Sequence, residues 1–383
     1  MSTQHAAIAP QGTTGRLAFI DIAKGLGIIL IVLGHNQMFS FRFPDARDFL
    51  TAFRLPFFFF MAGVTFSVGS KSVGQIALRR ADAWLKPLVV VVLVTGLLDT
   101  SMSHVTWESV LLGLAYPAGF TIDPLPLWFL AHLWLLYIFC TMLLKADRRL
   151  LDSTPKRVIL LLMLVISGYF MMEAFADASE VAACRSQSEF STDLFACGLP
   201  FSADILFLTS FYFLLGNFLS QRIKYFQIKP LWAVIAAVAM TVFQFGFNYT
   251  IDFNLRHYDT LITTTLQALC GIYLMLCACV LLSRIAMVAK VLCYLGAASL
   301  FILLFHLSIL EALLPVLRRD IHSSVINLLL SMPVALGAPV IMWELCKHSK
   351  VLSALLLPRK WQRQPAPAAQ QSPAPEPAAT SPQ

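Results

Sequence analysis

Apolar runs of about twenty residues recur along nearly the whole of this chain, and each could cross the roughly 30 Å hydrocarbon core of a bilayer as an α-helix. Ten such runs stand out: about 17–39, 51–69, 87–103, 125–144, 157–176, 202–219, 231–249, 262–282, 291–314 and 324–345. In lipid no water satisfies exposed N–H and C=O groups, so helices are the economical way for such runs to span. The composition agrees. Of 383 residues, 58% are hydrophobic and 13% charged, where soluble domains carry about 25% charged residues. The expected fold is all-α: a polytopic membrane protein of about ten transmembrane helices. The third run is shortened by Asp99. The run 109–120, interrupted by Pro117, is too short to span and reads as re-entrant or interfacial.

Lys and Arg set the orientation. Arg42, Arg47, Arg185, Arg256, Arg318 and Arg319 fall on one side of the ten spans. Most of the 28 basic residues fall on the other, in the N-terminus, the loops 70–86, 145–157, 220–230 and 283–290, and the tail. The positive-inside rule then places both termini in the cytoplasm and the protein in the inner (plasma) membrane. The net charge of +7 is mostly this topology signal, and no basic-aromatic patch calls for nucleic acid.

Three sections follow from composition: a polar N-terminus over 1–15, a membrane domain over 16–346, and a tail over 347–383 that turns Pro/Ala/Gln-rich and disordered from about 364. The first run is no signal peptide, because Asp21 and Lys24 interrupt it and no small-residue cleavage site follows. No internal repeat stands out and no soluble catalytic domain is appended, so any chemistry belongs to the membrane domain. Cys184 and Cys197 share the long outer loop 177–201 and are candidates for a disulfide. The other cysteines read as small buried hydrophobes, and no spacing resembles a metal site.

The first span, RLAFIDIAKGLGIILIVLGHNQMF, carries the sharpest functional hint. At 100° per residue, Lys24 and His35 are three turns and about 20° apart, and Asp21 joins the same face. Ionised groups at bilayer depth cost about 2.5–3.5 kcal/mol each on insertion scales, so this face should look into protein or a watery cavity. The alternating direction of the spans gathers Arg54, Trp128, His132 and His306 at the outer side with His35. Plainer readings exist for these: Arg54 and Asp204 as snorkelling cations and anions at span ends, His132 and His306 as interhelical packing, Trp128 as an aromatic-belt residue. A histidine pKa near 6.5 suits general-base work on a hydroxyl. A cation roughly 16 Å away along the axis suits an anionic donor such as a coenzyme A thioester. Gly25-Leu26-Gly27 is no dinucleotide fingerprint, since no strand precedes it.

These residues fall in segments that resemble the acyltransferase 3 family of integral membrane acyltransferases, on the branch with fucose 4-O-acetylase-like proteins. DIAKGLGIILIVLGH is similar to the family's first-helix motif of a basic residue, ten residues and a histidine. LPFFFFMAGVTFS resembles its Pro-x-Phe-Phe-x-x-Ser-Gly region, with Ala62 where serine is usual. LWFLAHLW, FYFLLGNFL and LGAASLFILLFH resemble three later segments in the same order. The resemblance implies that His35 is catalytic, that Lys24, Arg79 and Arg80 bind the donor, and that Asp21, Arg54, Trp128, His132 and His306 bind acceptor or line the chamber. It implies acetyl-CoA as donor substrate, with no tightly bound cofactor and no metal. The acceptor would be a sugar hydroxyl of an envelope or exported polysaccharide or its lipid-linked precursor, reached within membrane lipid. A glycan transporter or flippase, using the same polar groups as a pathway, is the alternative.

The orientation can be tested directly. A cysteine engineered into the tail should stay unlabelled by a membrane-impermeant maleimide in intact cells and become labelled after permeabilisation. Labelling before permeabilisation would reverse the assigned topology.

Overall fold

The computed structural model describes residues 13–101, 105–146, 151–175 and 198–359. The Cys184–Cys197 pairing lies outside these residues, as do residues 1–12 and the tail from 360.

Nine helical stretches among the described residues are long and apolar enough to cross a membrane. They are preceded by α1 (Thr13–His35), a tenth long helix of 23 residues that carries Asp21 and Lys24. In chain order there follow α2 (Gln37–Arg42), α3 (Pro44–Thr51), α4 (Arg54–Thr65), α5 (Val73–Arg80) and α6 (Lys86–Ser101). Next come α7 (Trp107–Ala115), α8 (Trp128–Ala146), α9 (Thr154–Glu173), α10 (Leu206–Lys224) and α11 (Pro230–Phe247). A two-stranded antiparallel hairpin, β1 (Ile251–Asp252) and β2 (His257–Tyr258), leads to α12 (Leu261–Ser283). The chain ends with α13 (Ala286–Ala297), α14 (Ser299–Asp320), α15 (Ser324–His348) and α16 (Lys350–Leu356). At nine residues α7 is too short to span, as its apolar run implied. The protein is an all-α, multi-pass membrane protein.

Two boundaries differ from the sequence reading. Residues 73–86 are not a loop: α5, a π-helical turn at Ala81–Leu85 and α6 form one helical stretch over Val73–Ser101. Ser72 starts it with a capping box, its hydroxyl accepting from the Gln75 amide while the Gln75 side chain accepts from the Ser72 amide. The run 291–314 is not one helix either. It breaks at Ala298 into α13 and α14, and the 12-residue α13 packs along α1.

Glycines decide which helices touch at backbone distance. A Cβ on Gly25 would lie 2.0 Å from the Leu292 carbonyl oxygen, and one on Gly296 would lie 2.2 Å from that of Asp21. These two contacts press α1 against α13. A second glycine pair does the same for α4 and α10, with Gly63 on the Phe213 carbonyl and Gly216 on that of Phe60. Close backbone approach through small residues is a principal source of helix association in lipid, where apolar surface alone gives no preference for a partner. The result places α1 and α4 inside the bundle. The outward faces of α9, α11 and α15 keep large apolar side chains such as Phe170, Phe245 and Leu329 exposed.

On the side of the hairpin the chain is tied by one buried ion pair. Arg256 takes a positive φ of 54° in the turn between β1 and β2. Its Nε donates to Asp204 at 2.8 Å and one terminal nitrogen donates to the other carboxylate oxygen at 3.2 Å. The two side chains are 2% and 0% exposed. Asp204 also accepts from the Leu199 amide at 2.7 Å, and Arg256 donates to the Asn254 carbonyl at 2.6 Å. All three guanidinium nitrogens and both carboxylate oxygens are engaged, so the pair fixes the hairpin over the start of α10. Asp204 is therefore not a residue snorkelling to an interface.

Removing one member leaves the other as an uncompensated buried charge, which costs about 3–5 kcal/mol. Arg256→Met should lower the thermal unfolding midpoint of the detergent-solubilised protein clearly, and Asp204→Leu added to it should recover most of the loss. Parental stability in the single variant would show that the hairpin is held by something else.

Candidate functional site

Asn36 sets the end of α1. Its side chain accepts from the Met38 amide at 3.0 Å, capping α2, and donates to the Ser331 hydroxyl at 2.8 Å. The residue is fully buried, so the turn is locked to α15 and His35 is held as the last residue of α1.

Two cavities lie along α1. One, of about 450 Å³, is lined by Gly34, His35, Arg54, Trp128 and by residues of α3 and the hairpin, among them Arg47, Asp48, Asp252, Asn254 and His257. The other, of about 560 Å³, is lined by Lys24, Thr65, Arg80, Trp84, Tyr137 and Ser299. Phe58, Phe129 and Leu303 line both. These three side chains are the partition, with the Phe58 and Phe129 rings edge to face at 5.8 Å. Gly27 makes room for Phe58, because a Cβ there would lie 2.8 Å from the ring.

In the Lys24 cavity, Lys24 pairs with Asp21 at 3.1 Å, the side chains being 42% and 39% exposed. A pair this open to solvent contributes about 0–1 kcal/mol, so it leaves the ammonium free to exchange partners. Arg80 lies over the Trp84 ring at 4.9 Å and the Tyr137 ring at 4.4 Å, which orients its guanidinium by cation–π attraction. The π-turn carries Trp84 to that position. Arg79 is not part of this cavity. It is exposed, because successive residues on a helix point about 100° apart and only one of the pair can face inward.

In the other cavity His35 meets His306, with ring centroids 5.1 Å apart. The partners fix the protons. His306 Nδ1 lies 2.8 Å from the Ile302 carbonyl and 3.1 Å from that of Leu303, so it carries hydrogen. The Nε2 of a neutral His306 then presents a lone pair to His35 Nδ1 at 3.3 Å. His35 Nδ1 also lies 2.9 Å from the Ile31 carbonyl and so carries hydrogen too. That leaves the lone pair of His35 on Nε2.

The expected chamber residues separate into two groups. Arg54 and Trp128 are on the wall with His35. His132, His306 and Asp21 are not. His132 is fully buried between helices, its ring nitrogens 3.1 Å from the Phe201 carbonyl and 2.9 Å from the Thr209 hydroxyl. Both nitrogens being taken, it acts as interhelical packing. His306 is fully buried behind His35. Asp21 pairs with Lys24 and lies nearly four turns of α1 away from His35.

The wall also contains residues that sequence reading passed over. Arg47 counted only as a topology charge. Asp48 on α3 and Asp252, Asn254 and His257 of the hairpin belong to short elements between the apolar runs, whose approach to α1 no periodicity encodes. Near the Asp204–Arg256 pair, Tyr116 donates to the Gly198 carbonyl at 2.5 Å. Burial, with Asp204 nearby, pushes its phenol up to about 12, so it stays a donor at any physiological pH.

Residues 17–344 match the acyltransferase domain of the acyltransferase 3 family. The chain belongs to that family. Comparison with curated proteins and with solved structures returns no match. As a member of the acyltransferase 3 family, the protein is a membrane acyltransferase, and its matched domain contains both cavities and the partition.

The proton assignment is open to measurement. In ¹⁵N-histidine-labelled protein, the His35 signals, identified by their loss in His35→Gln, should report the Nδ1–H tautomer. His306→Leu should shift them toward a mixture. An Nε2–H tautomer in the parent would overturn the assignment.

Proposed function

We propose that the protein is an acyl-CoA-dependent O-acyltransferase, most simply an acetyltransferase, that acylates a sugar hydroxyl. The acceptor would be an envelope or exported polysaccharide or its lipid-linked precursor. The observation that carries this reading is the arrangement along α1: a cavity with two cations, a thin apolar partition, and a cavity in which a histidine offers a free lone pair.

Each part has a task in such a reaction. Lys24 and Arg80 would hold the phosphates of the donor, Lys24 as a point charge and Arg80 as an oriented fork. The thioester arm would pass between Phe58, Phe129 and Leu303 to reach the second cavity. The acceptor would enter beneath the hairpin, with Trp128 offering an aromatic face to the sugar ring. His35 Nε2 would take the proton of the attacking hydroxyl. The Lys and Arg asymmetry of the loops supports a donor side facing the cytoplasm and an acceptor side facing outward across the plasma membrane.

His35→Ala should reduce acyl transfer by about 10²–10⁴-fold, the usual loss for a general base, with insertion into the membrane unchanged. Lys24→Met should raise the KM for acetyl-CoA with little effect on acceptor saturation, and Asp21→Asn added to it should not restore donor affinity. The assay is ¹⁴C-acetyl transfer from acetyl-CoA into the glycan fraction of inverted membrane vesicles, with free coenzyme A measured alongside. Vesicles that move glycan without releasing coenzyme A would identify a transporter instead.

A further inference from the structure

We propose that Arg54 is a catalytic residue that receives the negative charge developing on the thioester carbonyl oxygen, and that Gly34 is the position that lets it reach the reacting atoms. The proposal rests on the acyl-transfer reading above and adds to it a second catalytic group and a positioning residue.

Arg54 is the first residue of α4, yet its guanidinium lies on α1 in the notch at Gly34. A Cβ at position 34 would sit 1.2 Å from its Nη1 and 2.5 Å from its Cζ. Any other residue there would push the guanidinium away. Gly34 adjoins His35 in sequence, and both line the cavity with Arg54.

The donors of Arg54 are largely unspent. Nη1 makes one long bond, 3.4 Å, to the Leu30 carbonyl. Nε is buried with no partner. A guanidinium has five N–H donors, and a buried one without partners is costly. Asp252 attracts it through charge, but among the described residues no carboxylate accepts a hydrogen bond from it. Asp48 is paired with Arg47 at 2.7 Å, and Asp204 with Arg256 at 2.8 Å. Asp252 accepts from the Asn254 and Leu255 amides at 2.9 and 3.0 Å. Thus Arg47 and Arg256 have carboxylate partners, while Arg54 keeps open donors beside the proposed base. Unspent donors fixed on a cavity wall are what a transient oxyanion requires, because they need no reorganisation when the charge appears.

The step balances with these two residues. The acceptor oxygen bonds to the thioester carbonyl carbon as its proton passes to His35 Nε2. The carbonyl π pair moves onto oxygen, next to Arg54. Collapse re-forms the C=O bond and breaks the C–S bond, and the coenzyme A sulfur leaves with the proton returned by His35. The products are an ester and a free thiol.

The test uses the ¹⁴C-acetyl assay in inverted vesicles from a strain lacking its own copy, with protein amounts normalised. Loss of an oxyanion donor typically costs about 10²–10³-fold in kcat. Arg54→Met should lose that much kcat with the KM for acetyl-CoA little changed. Gly34→Ala, which keeps the charge but fills its notch, should lose a similar amount. The double variant should be no worse than Arg54→Met, because both remove one interaction. Guanidinium chloride at millimolar concentration should partly restore Arg54→Ala and should not restore His35→Ala. Parental kcat in Arg54→Met, a loss confined to acceptor KM, or additive losses in the double variant would each overturn the proposal. Gly34→Ala decides the matter even where an Arg54 variant inserts poorly: parental kcat in that variant would overturn the proposal by itself. Failure of the acyl-transfer reading is distinct: the parental protein itself would then label no glycan and release no coenzyme A.

Discussion

An ionisable side chain carried into an apolar slab must be met by protein or by water, and α1 carries three of them on one face. The remaining architecture answers that demand. Gly25 and Gly296 allow α1 and α13 to touch backbone to backbone, and α4, itself pressed on α10, covers α1 from another side. The charged face of α1 is thereby turned toward cavities and not toward lipid. Asp21 and Lys24 satisfy one another near one end, and His35 and His306 share a hydrogen bond at the other. Between them the face is apolar, and there Phe58 settles against Gly27.

This arrangement makes separation along one helix the organising quantity of the site. Lys24 and His35 are about 16 Å apart along α1 at 1.5 Å per residue. The two are kept in separate cavities by three apolar side chains. A partition of side chains, unlike one of backbone, can open by rotamer change on fast timescales. On the proposed function, it would keep water from crossing between the compartments while a long flexible arm passes.

The cavity wall opposite His35 is built by parts distant in sequence. The hairpin reaches it because Arg256 is bound to Asp204, and α3 reaches it because the turn at Asn36 is locked to Ser331. Both ties are buried and make several hydrogen bonds, which suits the holding of a fixed wall at the mouth of an otherwise apolar bundle. The contrast with Lys24–Asp21, which is half-exposed and weak, separates pairs that hold the fold from a pair that can yield to a ligand.

How much of this was legible in the sequence follows from the range of each interaction. The helical class, nearly all the spans, and the alignment of Asp21, Lys24 and His35 depend on local period and composition, and the chain alone determined them; the family was legible through the resemblance of its motif segments. Helix boundaries set by tertiary contact were less legible: α5 continues into α6 through the π-turn, and Ala298 breaks an apolar run that looks continuous. The site was legible where a residue shares a helix with His35 or a motif, and illegible where it arrives from elsewhere. Arg79 and Arg80 are neighbours in sequence, and only the fold decides that Arg80 faces the cavity. His132 and His306 are equally apolar-flanked histidines, and only their partners decide that one packs helices and the other sets a proton on His35. Arg54 and Gly34 are 20 residues apart by number, and nothing in either segment says that one occupies the notch left by the other. Periodicity determines which face of a helix a side chain is on. What that face meets is decided by backbone-close packing between helices, and that depends on the whole fold.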